Sequence, residues 1–209
     1  KEINIMTEKI ILLASHNKGK VKEFNELLSP YGFKAVPADE LGIDMEKAQE
    51  TAPNFRGNSL IKATYAYQQS EGKYPVISDD SGLCVWGLNG FPGVHSARFN
   101  VDGDYTYKAK QLKIIDMLKD KEDRSASFFC VLTYIDENGE PHQFMGEAKG
   151  HIAEEIHDCG NGFGFDPIFF SDDLGKCFGE ASSTEKDSIS HRGKATKQFL
   201  DFFEKKLGL

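Results

Sequence analysis

Long hydrophobic runs are missing from this sequence. The longest aliphatic run, Ile10 to Leu13, is far shorter than the roughly 20 apolar residues that a membrane-spanning helix needs. It is also too short for the apolar segment of a secretory signal, and no cleavage site of small residues follows it. We therefore expect no membrane association, no export and a cytoplasmic location.

Paired cysteine motifs are also missing. The four cysteines are widely spaced and form no C-x-x-C pair: Cys84, Cys130, Cys159 and Cys177. A chain of this length buries enough core to fold without disulfides, so thiols are predicted. His151 and His157 flank Glu154 and Glu155, but their spacing fits neither H-E-x-x-H nor its inverse, and surface charge is favoured over a zinc site.

An excess of positive charge is lacking as well. The net charge is −8, which argues against broad binding to nucleic-acid backbones, because such binding needs a basic face. A local cluster of Lys and Arg together with a metal ion can still hold an anionic small molecule. The sequence therefore predicts no nucleic-acid partner and leaves a small-molecule one open.

The chain length favours one domain with two lobes. We place this domain at residues 7–209, and we interpret residues 1–6 as an extension or a cloning remnant, since Met6 followed by Thr7 is a plausible natural start.

Strand and helix patterns alternate in the first half of the chain, which predicts an α/β protein. Lys9 to Ala14 is typical of a buried strand, and a helical spacing of apolar residues begins at Lys18. A second strand is predicted at Phe33 to Val36, and Pro53 is a plausible helix start. Pro75 to Ser78 is expected to form a strand that ends in an acidic turn.

The second half adds a hairpin and a terminal helix. A helix is predicted around Tyr105 to Leu118, and Asn138-Gly139 predicts a turn between strands at Ser125 to Ile135 and Gln143 to Lys149. We expect this hairpin to form a second lobe. A glycine-rich loop at Gly160 to Gly164, a strand at Ile168 to Phe170 and a helix from about Gly193 close the chain.

The segment between the first strand and the first helix is a candidate phosphate loop. It contains Ser15, His16, Asn17, Lys18, Gly19 and Lys20. A helix N-terminus offers backbone N–H groups and a favourable dipole to phosphate oxygens. The alternative is an ordinary helix start capped by Asn17. The Walker pattern G-x-x-x-x-G-K-[ST] is absent, so a standard P-loop is excluded.

Two acidic residues form a candidate metal site. Asp79 and Asp80 follow a predicted strand, and Mg²⁺ binds one or two carboxylates together with waters and substrate phosphates. A solvated Asp-Asp-Ser-Gly turn is the competing interpretation. The aspartyl-phosphatase pattern D-x-D-x-[TV] is absent, which argues against a covalent phosphoenzyme.

Aromatic and basic residues near the C-terminus are candidates for base recognition. Gly162 to Pro167 places aromatic rings beside small residues and a carboxylate, as a purine pocket would. Ser190 to Gly193 offers hydrogen-bond donors, and Lys186 lies just upstream. The alternatives are a loop that anchors the next strand and a serine that caps the last helix.

Together these motifs resemble the inosine/xanthosine triphosphate pyrophosphatase family over nearly the whole chain. The matching segments are Ser15 to Lys20 with Glu23-Phe24, Glu50-Thr51, Asn58 to Ala63, Ser78 to Leu83, Gly90 to Gly93 with Ser96 to Arg98, Phe163 to Phe169, and Ser190 to Gly193. The resemblance implies an elongated mixed β-sheet flanked by helices, with two lobes and a central substrate cleft. It also implies a homodimer.

The resemblance further implies a role for each matching residue. Ser15 to Lys20 would bind the triphosphate, Glu50 and Asp80 would bind Mg²⁺, and Asp80 would also accept a proton from the attacking water, with Lys62 nearby. The substrate contacts would be Ser81, Phe163, Gly164, Phe165, Asp166, Lys186, His191 and Arg192, with Phe163 the stacking ring and Arg192 the reader of the 6-oxo group. Lys18, Lys20 and Lys186 would stabilise the leaving pyrophosphate.

The implied reaction converts non-canonical purine triphosphates (ITP, dITP and XTP) into the monophosphate and pyrophosphate. Two other functions stay open at this point. A nucleotide sensor would bind the same ligand without hydrolysis, and a phosphomonoesterase would release orthophosphate.

Overall fold

The structure, a computed structural model, describes residues 9–209, so the proposed N-terminal extension at residues 1–6 lies outside the described residues. Eight strands form one mixed sheet in the order β2-β1-β3-β5-β6-β7-β8, with β4 paired to β3. The strands are β1 Lys9–Leu13, β2 Phe33–Pro37, β3 Val76–Val85, β4 Phe91–Pro92, β5 Ser125–Ile135, β6 Pro141–Ile152, β7 Phe169–Ser171 and β8 Lys176–Cys177. The helices are α1 Lys18–Leu28, α2 Phe55–Gln69, α3 Tyr107–Met117, α4 Ser183–Asp187 and α5 His191–Leu207.

The sheet combines parallel and antiparallel pairs. β1 runs parallel to both β2 and β3, whereas β4 is antiparallel to β3. β7 is antiparallel to both β6 and β8. The predicted mixed α/β architecture is therefore confirmed.

No helix in the described part of the chain combines the length and the apolar character that crossing a membrane requires.

The chain divides into two compact units. The first unit holds the chain up to Asp79 together with Leu132–Gln143, and the second holds Asp80–Val131 and Phe144–Leu209. The tip of the β5-β6 hairpin thus belongs to the first unit and its base to the second. The hairpin does not form a compact unit of its own.

The first unit has an aliphatic core. Leu12, Ala63, Ala66 and Val76 are fully buried there, so α2 packs on β1 and β3 through small side chains. Helix α1 starts after Asn17 and ends before Ser29, and Gly32 adopts a left-handed φ of 78° after the short turn that contains Pro30. The turn that contains Pro30 and Gly32 therefore terminates α1.

The second unit has an aromatic core. Phe128, Phe169 and Phe178 pack together with ring centroids 4.7–6.0 Å apart. Aliphatic residues of α3 and β3, among them Ile114 and Leu83, complete the core. Tilted and stacked aromatic contacts of this kind add to the stability that burial alone provides.

The prediction that Asp79 to Gly82 forms an acidic turn is wrong, because β3 continues through these residues from Val76 to Val85. Turn propensity is a local preference, and here sheet pairing overrides it: Val76 pairs with β1, while Cys84 and Val85 pair with β4. The charge of Asp79 is compensated by Lys20, so the strand can pass through the interior.

Several helix and strand boundaries differ from the predictions, among them the starts of α2, α5 and β7. Helix α2 starts at Phe55 because Asn54, rather than Pro53, is its N-cap and accepts a hydrogen bond from Gly57 N. Helix α5 starts at His191, two residues before the predicted start, because Ser190 caps it. The predicted strand at Ile168 to Phe170 is shifted to β7, since residues 166–168 form a 3₁₀ turn.

Candidate active site

The loop before α1 holds the predicted triphosphate-binding residues. The side-chain oxygen of Asn17 accepts hydrogen bonds from Gly19 N at 2.9 Å and Lys20 N at 3.3 Å, and Asn17 N donates to Ser15 Oγ at 3.1 Å. The ordinary N-cap is thus present. His16 and Lys18 are exposed. The side chain of Asn17 already occupies two of the backbone N–H groups at this helix start. The Lys18 ammonium is therefore better placed than these N–H groups to attract phosphate.

Lys20 is committed to Asp79. Its ammonium lies 2.7 Å from both carboxylate oxygens of Asp79, which is only 4% exposed. A buried carboxylate needs a partner of opposite charge, and Lys20 supplies it. Asp79 is therefore a counter-ion of the candidate phosphate loop, and the pairing disfavours it as a metal ligand.

Glu50 and Lys62 lie close together in the first unit. Lys62 Nζ is 3.9 Å from Glu50 Oε1, and both side chains are largely shielded from solvent. The segment that carries Glu50 is held by Asn58 of α2, whose side-chain oxygen accepts a hydrogen bond from Ala52 N at 2.9 Å. Asn58 is fully buried, so this tether fixes the position of the segment relative to α2.

A cluster of buried hydroxyl groups anchors α2 to the strands beside it. Ser59 Oγ lies 2.7 Å from Thr133 Oγ1 of β5, and Ser78 Oγ of β3 donates to the backbone oxygen of Ser59. Lys62 lies three residues further along the same helix, close to one turn away. The cluster therefore determines where α2 presents Lys62.

Asp80 and Ser81 are the first residues of the second unit and lie within β3. Asp80 is half-buried. The hydroxyl of Ser81 is buried and has no hydrogen-bond partner within the described range 9–209. Buried polar atoms are normally satisfied, so this hydroxyl is suited to bonding a ligand.

A cavity in the second unit brings seven of the predicted substrate-binding residues together. They are Ser81, Phe163, Gly164, Phe165, Asp166, His191 and Arg192. The remaining lining residues are Gly82, Ser96, Ala97, Tyr107 and Phe128. The cavity thus combines aromatic rings with a few polar donors, as expected of a site for a planar heterocycle.

The aromatic walls of this cavity are ordered by contacts among themselves. Phe165 is buried, stacks parallel to Phe99 at 6.1 Å and meets Tyr107 edge-on at 5.4 Å. The His191 ring stacks on Phe128 at 4.7 Å. Phe163 is 70% exposed, so its ring is accessible to a ligand, and its stacking role stays a prediction.

Asp166 connects two predicted contact residues. Its Oδ2 accepts hydrogen bonds from Phe163 N at 3.2 Å and from Lys186 Nζ at 3.0 Å, and the carboxylate is buried. Lys186 therefore stabilises the segment that lines the cavity. This pairing favours a role for Lys186 in base binding over the predicted role at the leaving group.

Two residues of α3 that the sequence did not single out support the cavity walls. Gln111 Nε2 donates a 2.6 Å hydrogen bond to the backbone oxygen of Gly164. Lys110 Nζ donates to the backbone oxygen of Ala97 at 2.8 Å and lies 4.7 Å from the centre of the Tyr107 ring. Both side chains are buried, although Lys and Gln on a helix predict solvent exposure, so the sequence contains no local signal of their role.

A second, larger cavity of about 480 Å³ borders the same wall. It shares Tyr107, Phe163 and Gly164 with the first cavity and is also lined by Gln111. The two cavities therefore meet at these shared residues, which are held by the hydrogen bonds of Gln111 to Gly164 and of Asp166 to Phe163.

The model of the Ham1 family matches residues 11–202. The chain belongs to the Ham1 family. Two relatives of this Ham1 chain are called dITP/XTP pyrophosphatase. The one from Leptospira biflexa is 39% identical over 95% of this chain and 98% of its own, and the one from Treponema denticola is 42% identical over 88% and 93%.

Solved structures agree with the family membership. A Ham1 protein from Coxiella burnetii superposes with a TM-score of 0.86 at 36% identity, covering 94% of this chain and 99% of its own. The predicted family resemblance is confirmed.

Proposed function

We propose that this chain hydrolyses deaminated purine nucleoside triphosphates (dITP, ITP and XTP) to the monophosphate and pyrophosphate, and so removes them from the nucleotide pool. The observation that carries the proposal is the cavity of the second unit, where Arg192 and His191 lie beside aromatic walls. The names of relatives about 40% identical over most of the chain support the same reaction.

Base selection follows from the donors of the cavity. Hypoxanthine and xanthine carry an acceptor oxygen at C6, to which an arginine can donate, whereas adenine carries an amino donor there. A buried donor that meets another donor is left unsatisfied, which weakens binding. Arg192 therefore favours 6-oxo purines, and Phe163 stacks on the base.

The phosphates are assigned to the first unit. Lys18 is exposed at the N-terminus of α1, where its charge and the helix dipole both favour an anion. Lys62, held close to Glu50, adds a second cation. The Ser81 hydroxyl, buried without a partner in the part of the chain that the structure describes, is assigned to a substrate oxygen.

Mg²⁺ is the proposed cofactor, with Glu50 and Asp80 as its ligands. The donor set fits, because carboxylate oxygens are the groups that Mg²⁺ prefers in proteins. When bound, the ion would neutralise charge on the phosphate oxygens and acidify a water molecule.

The side chains of this chain carry the remaining steps. Asp80 orients the attacking water and accepts its proton, and Lys62 lies near the phosphates or the attacking water. The bond between the α- and β-phosphates breaks, and Lys18 stabilises the charge on the departing pyrophosphate. No covalent intermediate is needed.

The homodimer and the cytoplasmic location stay predictions. Sedimentation analysis of the purified protein tests the homodimer.

The test is to identify the products. We would incubate the protein with XTP or dITP, with magnesium or with a chelator, and follow the phosphorus species by ³¹P NMR. The proposal predicts monophosphate and pyrophosphate only with magnesium, and loss of both products in Asp80→Asn. Asp116→Asn, a change of an exposed aspartate on α3, is the matched control and should behave as the wild type.

Other products would favour the alternative functions. Release of orthophosphate would indicate a phosphomonoesterase and contradict the proposal. Tight binding of XTP without any product would indicate a nucleotide sensor and contradict it equally.

A further inference from the structure

Three side chains with metal-binding atoms converge in the second unit, and the reaction proposed above uses none of them. They are His157, Cys177 and Glu180, whose Nδ1, Sγ and carboxylate oxygen all lie within 4.8 Å of one another. His157 Nδ1 is 3.7 Å from Glu180 Oε1. Ligands of one tetrahedral zinc ion are separated by similar distances, since each lies about 2.0–2.3 Å from the metal.

We propose that His157, Cys177 and Glu180 form a binding site for a thiophilic divalent cation, with Zn²⁺ as the best fit. The inference concerns a site separate from Glu50 and Asp80, and it stands whether or not the proposed reaction is correct.

The backbone around the three residues is well anchored. Cys177 ends β8, and Glu180 ends the 3₁₀ turn that follows it. Cys177 N donates to Glu180 Oε2 at 3.1 Å, which orients the carboxylate, and His157 N donates to the backbone oxygen of Pro167 at 2.8 Å. The ligands therefore lie on a framework that exists before the metal binds.

Gly179 allows the two segments to approach each other. A Cβ atom at this position would collide with the backbone oxygen of His157 and with Pro167. Its backbone oxygen also accepts a hydrogen bond from Cys159 N at 3.3 Å. The absence of a side chain at position 179 is thus what brings His157 beside Cys177 and Glu180.

The ligand types determine which cation fits. Zn²⁺ binds thiolate sulfur, imidazole nitrogen and carboxylate oxygen, whereas Mg²⁺ binds oxygen ligands almost exclusively. Cys177 is 1% exposed, while His157 and Glu180 are partly exposed, so solvent reaches the site from their side. Three protein ligands leave a fourth position for water.

Binding must release a proton from the thiol. The Cys177 S–H bond breaks, a sulfur–metal bond forms, and the proton passes to solvent. Burial and the neighbouring Glu180 raise the pKa of the Cys177 thiol to about 11, so the thiol is protonated at neutral pH until a metal arrives.

Cobalt is the probe, because Co²⁺ replaces Zn²⁺ and a cobalt–thiolate bond has a charge-transfer absorption band. We would titrate the full-length, metal-stripped protein with Co²⁺ without oxygen. The proposal predicts one equivalent with a thiolate band, displaced by equimolar Zn²⁺ but not by a thousandfold excess of Mg²⁺. Cys177→Ser should abolish the band and His157→Asn should weaken binding at least tenfold.

The chain offers matched controls. Cys159→Ser removes the exposed cysteine, and His151→Asn removes the histidine that stacks on Phe170. Both variants should keep the band at full intensity. No band in the wild type, a band that persists in Cys177→Ser, or its loss in Cys159→Ser would overturn the assignment.

A measurement on the unmodified protein covers the case in which Cys177→Ser fails to fold. X-ray absorption of the zinc-loaded wild type should show one sulfur at about 2.3 Å and nitrogen or oxygen ligands at about 2.0–2.1 Å. A zinc coordination shell without sulfur, or with more than one sulfur, would contradict the proposed site.

Discussion

Gln111 of α3 donates a 2.6 Å hydrogen bond to the backbone oxygen of Gly164, so the helix holds the segment that lines the candidate base cavity. Gly164 adopts a left-handed φ of 65°, and a Cβ atom there would touch the Tyr107 ring. The cavity wall therefore depends on a residue that does not itself line this cavity.

Gln111→Leu keeps the size of the side chain and removes the donor. A lost hydrogen bond in a buried site costs about 1–1.5 kcal/mol, so we expect KM for dITP to rise about tenfold with a smaller change in kcat. Steady-state kinetics measure KM and kcat separately. Lys113→Met, an exposed change on the same helix, is the control, and an unchanged KM in Gln111→Leu would contradict the role.

The ion pair between Asp166 and Lys186 predicts coupled mutations. Asp166→Asn and Lys186→Met should each weaken binding of the product monophosphate, because each disturbs the segment that contains Phe163. The double variant should be less impaired than the sum of the two, by about 0.5–3 kcal/mol. Calorimetry on the four proteins measures the coupling. Strict additivity would mean that the pair does not shape the cavity.

The exposure of the cysteines predicts their reactivity. Cys159 is exposed, whereas Cys84, Cys130 and Cys177 are buried, and none of the four forms a disulfide in the described residues. A thiol reagent should modify one equivalent rapidly in the native protein and four after unfolding. Cys159→Ser should abolish the rapid phase. Two or more rapid equivalents in the wild type would contradict the packing.

Buried thiols also predict a loss of stability at alkaline pH. Burial raises the pKa of Cys84 and of Cys177 to about 11, whereas the pKa of a cysteine in the unfolded chain is about 8.5. Above that pH the unfolded state loses protons that the folded state keeps, so stability falls as pH rises from about 8.5 to 11. Urea unfolding at several pH values tests this, and Cys84→Ala should have a flatter pH dependence than the wild type.

Where local signals agreed with the tertiary structure, the sequence predicted the fold well. Strand β5 has the predicted bounds, Ser125–Ile135, because its apolar run meets an Asn-Gly turn. The Asp-Asp-Ser-Gly segment misled the prediction, since its turn propensity is overridden by pairing with neighbouring strands and by the Lys20–Asp79 ion pair.

The site was predictable only in part. Ser81, Phe163 and Arg192 were expected from the family resemblance, and the structure places them around one cavity. Lys110 and Gln111 were missed because their burial depends on tertiary packing, which leaves no trace in local spacing. The cluster of His157 with Cys177 is equally invisible, since 20 positions separate the two residues along the chain.

The most direct test of the central claim is the ratio of kcat/KM for dITP to that for dATP, in the wild type and in Arg192→Gln. The account predicts a wild-type ratio of about 100 or more, because adenine leaves the arginine donor unsatisfied, and a ratio that falls mainly through lost activity on dITP in the variant. Arg56→Gln, an exposed change in the first unit, should keep the wild-type ratio. Equal hydrolysis of dITP and dATP by the wild type would contradict the account.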